Sequence, residues 1–231
     1  MTDEIMVNEN TVDFTAAPTN IEPDTSEAEN EMVIRLKKPY KFEGKEYTEI
    51  DLSGLNTLTV KDAIDAQNKL ASDGERAVIL VPETSTAFAD ALAAKACQKP
   101  LEFFMLAPIG VSRKVRLTVQ KFLFESGGED TEQGEAGKHV LRFRAPYTYK
   151  GETYHSIDLA AVGNLTGLDV RQAENKLVAA GIVANETSTN YYYCCLLAAA
   201  ATGKGEDFFT GLPVQEATAL KNAVNDSDFF E

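Results

Sequence analysis

Residues 33–52 of this 231-residue chain are written a second time at 140–159. Val33-Ile34-Arg35 returns as Val140-Leu141-Arg142, Pro39-Tyr40 as Pro146-Tyr147, and Ile50-Asp51-Leu52 as Ile157-Asp158-Leu159. The offset of 107 set by the two prolines holds without a gap to Leu70 and Leu177, and 16 of the 38 aligned positions are identical. Solenoid repeats have periods of roughly 20–50 residues and borrow their cores from neighbours, whereas a unit about twice that length can own a core. The pattern predicts an α+β protein of two homologous small domains, at 32–125 and 139–231. An acidic tail at 1–31 precedes them, and an acidic glycine-rich linker at 126–138 joins them.

The formal net charge of −14 is spread unevenly. Residues 1–31 hold nine acids and no base, and residues 126–138 contribute a further −3, so −12 of the total lies outside the repeats. The tail mixes acids with Asn, Thr, Ser and Pro and has no apolar periodicity, which predicts disorder. Gly127-Gly128 among acids has the composition of a flexible, self-repelling linker. The repeats are close to neutral, so a phosphate-binding surface is not expected. No Lys/Arg-headed apolar stretch opens the chain, and no apolar run is long enough to span a bilayer. The expectation is a cytoplasmic protein without membrane contact. Three cysteines, two of them adjacent at 194 and 195, do not make a disulfide framework and read as small buried thiols.

Each repeat opens on period-two alternation. Ile34, Leu36, Tyr40 and Phe42 face one way and Arg35, Lys37 and Lys41 the other. Gly44 and Gly151 supply a turn, and Ile50-Asp51-Leu52 and Ile157-Asp158-Leu159 end a second strand. Each hairpin needs an apolar partner, because an isolated hairpin is marginal in water. Helices follow. Thr59-Val60-Lys61-Asp62 and Thr166-Gly167-Leu168-Asp169 read as N-terminal caps with an acid where the helix dipole favours it. Glu83-Thr84-Ser85-Thr86 recurs as Glu186-Thr187-Ser188-Thr189 and predicts a hydroxyl cap on the second helix of each repeat. That helix is strongly apolar: Ala87–Ala96 admits only Asp90 and Lys95, and Tyr191–Ala201 admits no charge. Such a helix must be covered on several sides, either as the central helix of its own bundle or by a contact with the sister repeat or another subunit, and the contact is the expectation. A third helix begins beyond Pro108 and Pro213, as proline favours a first turn. Each repeat is thus expected to be a β-hairpin followed by about three helices.

Motifs that carry chemistry are scarce. The two histidines, His139 and His155, do not occupy equivalent positions, so no histidine-based catalytic site was duplicated with the repeat. There is no phosphate-binding glycine loop. The repeated carboxylates Asp51/Asp158 and Asp62/Asp169 suit strand-end and cap roles. No enzymatic activity, cofactor or metal is expected.

The stretch Phe42-Glu43-Gly44-Lys45-Glu46-Tyr47-Thr48-Glu49-Ile50-Asp51-Leu52-Ser53-Gly54-Leu55, followed by Leu58-Thr59 and an amphipathic helix, resembles the tail assembly chaperones of Mu-like contractile-tailed phages. The likeness continues in the step Leu106-Ala107-Pro108 and the ending Phe122-Leu123-Phe124, and in Leu212-Pro213 of the second repeat. It covers both repeats and neither tail nor linker. The chain departs from the family in being double, and the second repeat has Ala160-Ala161 in place of Ser53-Gly54.

The resemblance implies a protein that binds the tape measure protein and keeps it soluble until the tail tube polymerises around it. The resemblance further implies action in the host cytoplasm and absence from the mature virion. The tail tube protein is a further candidate partner. The other functions weighed are a structural tail or baseplate adaptor retained in the virion and an acidic inhibitor that mimics nucleic acid. A partner-binding or repeat-contact surface is expected to include Phe88, Leu92, Arg113, Arg116, Phe122, Tyr191, Tyr192 and Leu196, through either self-association or contact between the repeats.

Overall fold

The computed structural model describes residues 31–125, 139–182 and 186–229. The acidic tail, apart from Glu31, and the linker at 126–138 lie outside the described residues. Each half begins with a two-stranded antiparallel hairpin. The first pairs β1 (Val33–Phe42) with β2 (Lys45–Asp51), and the second pairs β3 (Val140–Tyr149) with β4 (Glu152–Asp158). Both loops are two residues long, Glu43-Gly44 and Lys150-Gly151, with φ of 47° and 77° and of 51° and 84°. Two consecutive left-handed residues match the twist of the flanking strands, and glycine takes the second position at least cost. The register slips between Arg35 and Tyr40 and between Arg142 and Tyr147, around Pro39 and Pro146. Proline has no N–H to give a ladder, so the irregularity belongs there. On the outer face Arg35 stands opposite Glu49, and Lys41 pairs with Glu46 at 2.9 Å.

A short 3-10 turn leads from each hairpin into the first long helix, α1 (Val60–Ser72) in the first half and α6 (Gly167–Ala179) in the second. Both helices open on a capping box. The Thr59 N–H donates to Asp62 Oδ2 at 2.7 Å and the Thr166 N–H to Asp169 Oδ2 at 2.8 Å. Asp51 and Asp158 each accept a turn N–H at 2.8 Å, from Ser53 and Ala160. The repeated carboxylates therefore serve backbone groups that would otherwise lack partners. A Cβ on Gly54 would lie 2.1 Å from the Ala96 carbonyl oxygen, so this turn is pressed against the end of a later helix.

In the first half the chain continues through α2 (Ala77–Leu80), α3 (Thr86–Ala96), α4 (Leu101–Met105) and α5 (Ile109–Phe124). The second half continues through α7 (Tyr191–Thr202), α8 (Glu206–Thr210) and α9 (Ala217–Val224). The expected three longer helices are present in each half, with short ones between them. Past the first helix the register of the two halves changes. Phe103-Phe104 matches Phe208-Phe209, and Pro108 matches Pro213, at an offset of 105.

This shift corrects the cap expected from the repeated Glu-Thr-Ser-Thr string. Ser85 Oγ caps α3 by accepting from the Phe88 N–H at 3.4 Å. In the second half Asn190 takes that place, accepting from the Tyr193 N–H at 3.1 Å, and Ser188 falls in a 3-10 turn before the helix. The third helix also differs. It runs unbroken for 16 residues in α5, but in the second half it starts as a 3-10 turn, Val214–Glu216, and α9 is eight residues long.

Each hairpin packs its aromatic face on one phenylalanine. Tyr40, Phe42 and Tyr47 surround Phe103 edge-on with ring centroids 4.8–5.3 Å away. Tyr147, Tyr149 and Tyr154 surround Phe208 at 5.0–5.3 Å. Edge-to-face contacts at this spacing align the ring quadrupoles, and the Tyr40 hydroxyl adds a bond to the Phe103 carbonyl at 2.9 Å. The buried apolar side chains of both halves form one continuous cluster. Helix α7 is covered mainly by α6, α8 and α9 of its own half, and by α1 of the other. Helix α3 is covered mainly within its own half, and meets its sister half where Phe88 stacks on Tyr191, centroids 5.8 Å apart.

Asp90 lies in this apolar environment at 5% exposure, and its Oδ1 has no hydrogen-bond partner. The second half has Cys195 at the matching position, also buried. Burial pushes the Asp90 carboxyl from 3.8 up to about 6. The folded state then holds the proton more tightly than the unfolded chain, so stability falls as pH rises from about 4 to about 6 and stays reduced above that. Asp90→Asn is expected to raise stability by about 2 kcal/mol at pH 8 and by almost nothing at pH 4. Urea unfolding at the two pH values measures this, and an equal gain at both would mean that ionisation is not the cause.

Candidate functional site

Two surfaces deserve a functional reading: the seam between the halves, and the outer side of α5. The seam is built around the start of α1. Val60 is the first helical residue, so its N–H has no partner within the helix. It donates to the Leu212 carbonyl at 2.8 Å, and the Val214 N–H donates to the Leu58 carbonyl at 2.8 Å. Between them Thr59 and Pro213 form an antiparallel bridge. Neither of these two needs a bond across it, since proline has no N–H and the Thr59 N–H is taken by Asp62. Leu212, Val214 and Val60 are all fully buried here.

Gln67, about two turns along α1 from Val60, completes the contact. Its Nε2 donates to the Thr189 carbonyl at 3.0 Å, and its Oε1 accepts the Tyr191 N–H at 3.1 Å. A single carboxamide thus serves both kinds of backbone group at the start of α7, and it is 3% exposed. The Thr189 hydroxyl reaches the Ile79 carbonyl at 2.7 Å. Further in, the Glu83 carboxylate pairs with the Lys221 ammonium, with side chains 1% and 13% exposed. Burial first, and then the Glu83 charge, pushes the neighbouring Tyr191 phenol well above its ordinary value. The open side of the seam is a cleft of about 770 Å³ bordered by Ile64, Lys69, Ile182, Tyr192 and Glu206. Among the described residues of its lining, no buried side-chain N or O atom lacks a hydrogen bond.

Burial disfavours the thiolate form of all three cysteines. Burial lifts Cys194 to about 12, and lifts Cys97 to about 11 with help from Asp51. Cys195 is raised well above its ordinary value, again first by burial. All three remain protonated at neutral pH, and attack and metal ligation both need the thiolate. Among the described residues no group of three His, Cys, Asp or Glu side chains could hold a metal ion. No helix among them is long and apolar enough to cross a membrane.

The accessible surface of most interest is α5. Ile109, Leu117 and Phe124 are 89%, 53% and 52% exposed, and the exposed Arg113, Lys114 and Lys121 lie among them. These residues recur at three- and four-residue steps, so they share one side of the helix. Between α5 and β1 runs a groove of about 440 Å³ lined by Val33, Ile34, Arg35, Lys114, Leu117 and Thr118.

Of the residues expected at a contact surface, Phe88 and Tyr191 meet each other across the seam. Leu92, Phe122 and Leu196 are buried and inaccessible to a partner. Leu92 and Leu196 lie on almost wholly apolar helices that offer no face preferring water, and Phe122 lies on the core-facing side of α5 with Val115 and Val119. Tyr192 is half-buried in the cleft and donates to Glu206 at 3.1 Å. Arg113 is exposed and Arg116 half-buried, both on α5. Sequence reasoning missed Gln67, Glu83 and Lys221, whose roles depend on residues more than a hundred positions away. For Gln67 and Lys221 the signal was a polar side chain on or beside an apolar helical stripe; Glu83, in the turn Pro82–Thr84, carried none. Comparison with protein-family profiles, curated proteins and solved structures found no match to this chain.

Proposed function

We propose that the chain is a non-enzymatic assembly chaperone of a phage tail, built from a duplicated unit, that binds the tape measure protein through the outer side of α5. The observation that carries this reading is the exposed mixture of Ile109, Leu117 and Phe124 with Arg113, Lys114 and Lys121 on one helix. Water-facing apolar side chains of this size normally sit singly on a surface, and a row of them interleaved with bases suits a partner helix with apolar and acidic positions. A long helical protein awaiting its tube exposes such stripes, and a chaperone must cover them with contacts that can later be released. The sequence likeness to tail chaperones, carried mostly by the hairpin and the start of α1, supports the same reading.

Co-expression with the tape measure protein from the same genome tests it. The wild-type chain is expected to hold that protein soluble and to co-purify with it. Leu117→Asp combined with Arg113→Glu should weaken capture by at least about tenfold, or about 1.4 kcal/mol, without lowering the melting temperature, because both sites are exposed. Undiminished capture by this variant would rule out the α5 surface. Recovery of the chain in purified virions would rule out the chaperone in favour of a retained tail component.

A further inference from the structure

The contact that joins the two halves uses one edge of each and leaves the other edge of each uncovered. In the second half the docking edge is the step Leu212-Pro213-Val214. In the first half the seat is Leu58-Thr59-Val60. The matching docking edge of the first half is Ala107-Pro108-Ile109, and the matching seat of the second half is Leu165-Thr166-Gly167. Leu212 and Val214 are fully buried, while Ile109 is 89% exposed and its neighbours Met105 and Leu106 are 62% and 69% exposed. Leu58 and Val60 are buried, while Thr166 and Gly167 are exposed and Leu168 beside them is 63% exposed. The residues that approach Gln67 repeat the contrast. Tyr191 is buried against it, but Thr84 and Thr86 at the start of α3 face solvent. Four of the large exposed apolar side chains of the chain thus mark the two unused edges of a contact that the molecule already makes once.

We propose that the chain adds to itself head to tail, with the Ala107–Ile109 step of one molecule seated on the Leu165–Leu168 segment of the next, repeating between molecules the contact made between halves. The contact is heterologous, meaning that each molecule offers one edge and one seat, so addition continues into a chain or closes into a ring. The internal contact fixes the expected bonds. The Gly167 N–H donates to the Ala107 carbonyl of the neighbour, and the neighbour's Ile109 N–H donates to the Leu165 carbonyl. Apolar cover comes from Met105, Leu106 and Ile109 on one side and Leu168 on the other.

The outer seat is not a copy of the inner one. Arg171 and Glu174 stand where α1 has Ile64 and Gln67. A carboxylate at 174 suits an incoming helix N-terminus but not the carbonyl that Gln67 also serves. The intermolecular contact is therefore weaker than the internal one and reversible, and it forms with rising concentration. Ile109 belongs both to this edge and to the α5 surface proposed to bind the tape measure protein, but the Leu168 seat on α6 does not, so Leu168→Glu tests self-association apart from that binding.

Two charge variants test it in the full chain. Sedimentation velocity of the wild type should show a mass that grows with concentration. Ile109→Glu removes the edge and Leu168→Glu removes the seat, and each is expected to weaken self-association by at least about tenfold with an unchanged melting temperature, since both positions are exposed. The deciding measurement mixes the two variants. Each keeps one intact surface, so the mixture should form a one-to-one dimer and nothing larger. A wild type that stays monomeric at the highest attainable concentration overturns the proposal. So does a mixture in which no dimer appears, because any other mode of self-association would not be restored by pairing these two substitutions.

Discussion

Lys221→Met is expected to destabilise the protein by about 3–5 kcal/mol, because it leaves the Glu83 charge buried without a counter-ion. Glu83 is 1% exposed and α9 supplies the cation that neutralises it. The reverse change, Glu83→Gln, should cost less. Lys221 is 13% exposed, and a lysine stem can carry its ammonium group towards water. The double variant Glu83→Gln, Lys221→Met should recover much of the single loss, since replacing both members of a buried pair is often close to neutral. Urea unfolding of the four proteins gives the coupling energy directly. The expected coupling is at least about 2 kcal/mol, and a value below about 0.5 kcal/mol would mean that the pair does not hold the two halves in register. The pair also bears on recognition: a buried charge tolerates only the arrangement that supplies its partner, so it disfavours alternative dockings of two apolar halves.

The parts of this fold that sequence made legible are those set by neighbours along the chain. The hairpins follow from period-two alternation around Glu43-Gly44 and Lys150-Gly151, and α1 and α6 from Thr59/Asp62 and Thr166/Asp169, where cap donor and acceptor are three residues apart. The Glu-Thr-Ser-Thr string misled because identity of residues was read as identity of place. The connection after α6 is two residues shorter than that after α1, so Ser188 stands before the helix that Asn190 caps. The buried apolar helices were recognisable, but which of their residues reach the sister half was not. That depends on the crossing of α1 over the start of α7, a relation between residues 67 and 191 with no periodic trace. The α5 surface was half legible: its bases stood out, whereas the exposure of Ile109, Leu117 and Phe124 depends on which side of the helix the core occupies.

Residues 32–125 and 138–231, expressed as separate chains, are expected to bind each other and to be poorly behaved alone. Separation strips cover from both sides at once. The first chain would expose Val60 and the Gln67 carboxamide and leave Glu83 without Lys221, and the second would expose Tyr191, Leu212 and Val214. Each large apolar side chain returned to water costs about 1.5–3 kcal/mol, so loss of the seam removes a large share of a typical domain stability of about 5–15 kcal/mol. Within the intact chain the contact is intramolecular and needs no encounter, whereas for separate chains the same contact becomes concentration-dependent. Light scattering of each chain and of the mixture distinguishes the outcomes. A one-to-one complex, with precipitation or self-association of the isolated chains, is the expected result. Two clean monomers that ignore each other would mean that each half covers its own core, and the hydrogen bonds through Val60, Val214 and Gln67 would then be incidental to stability.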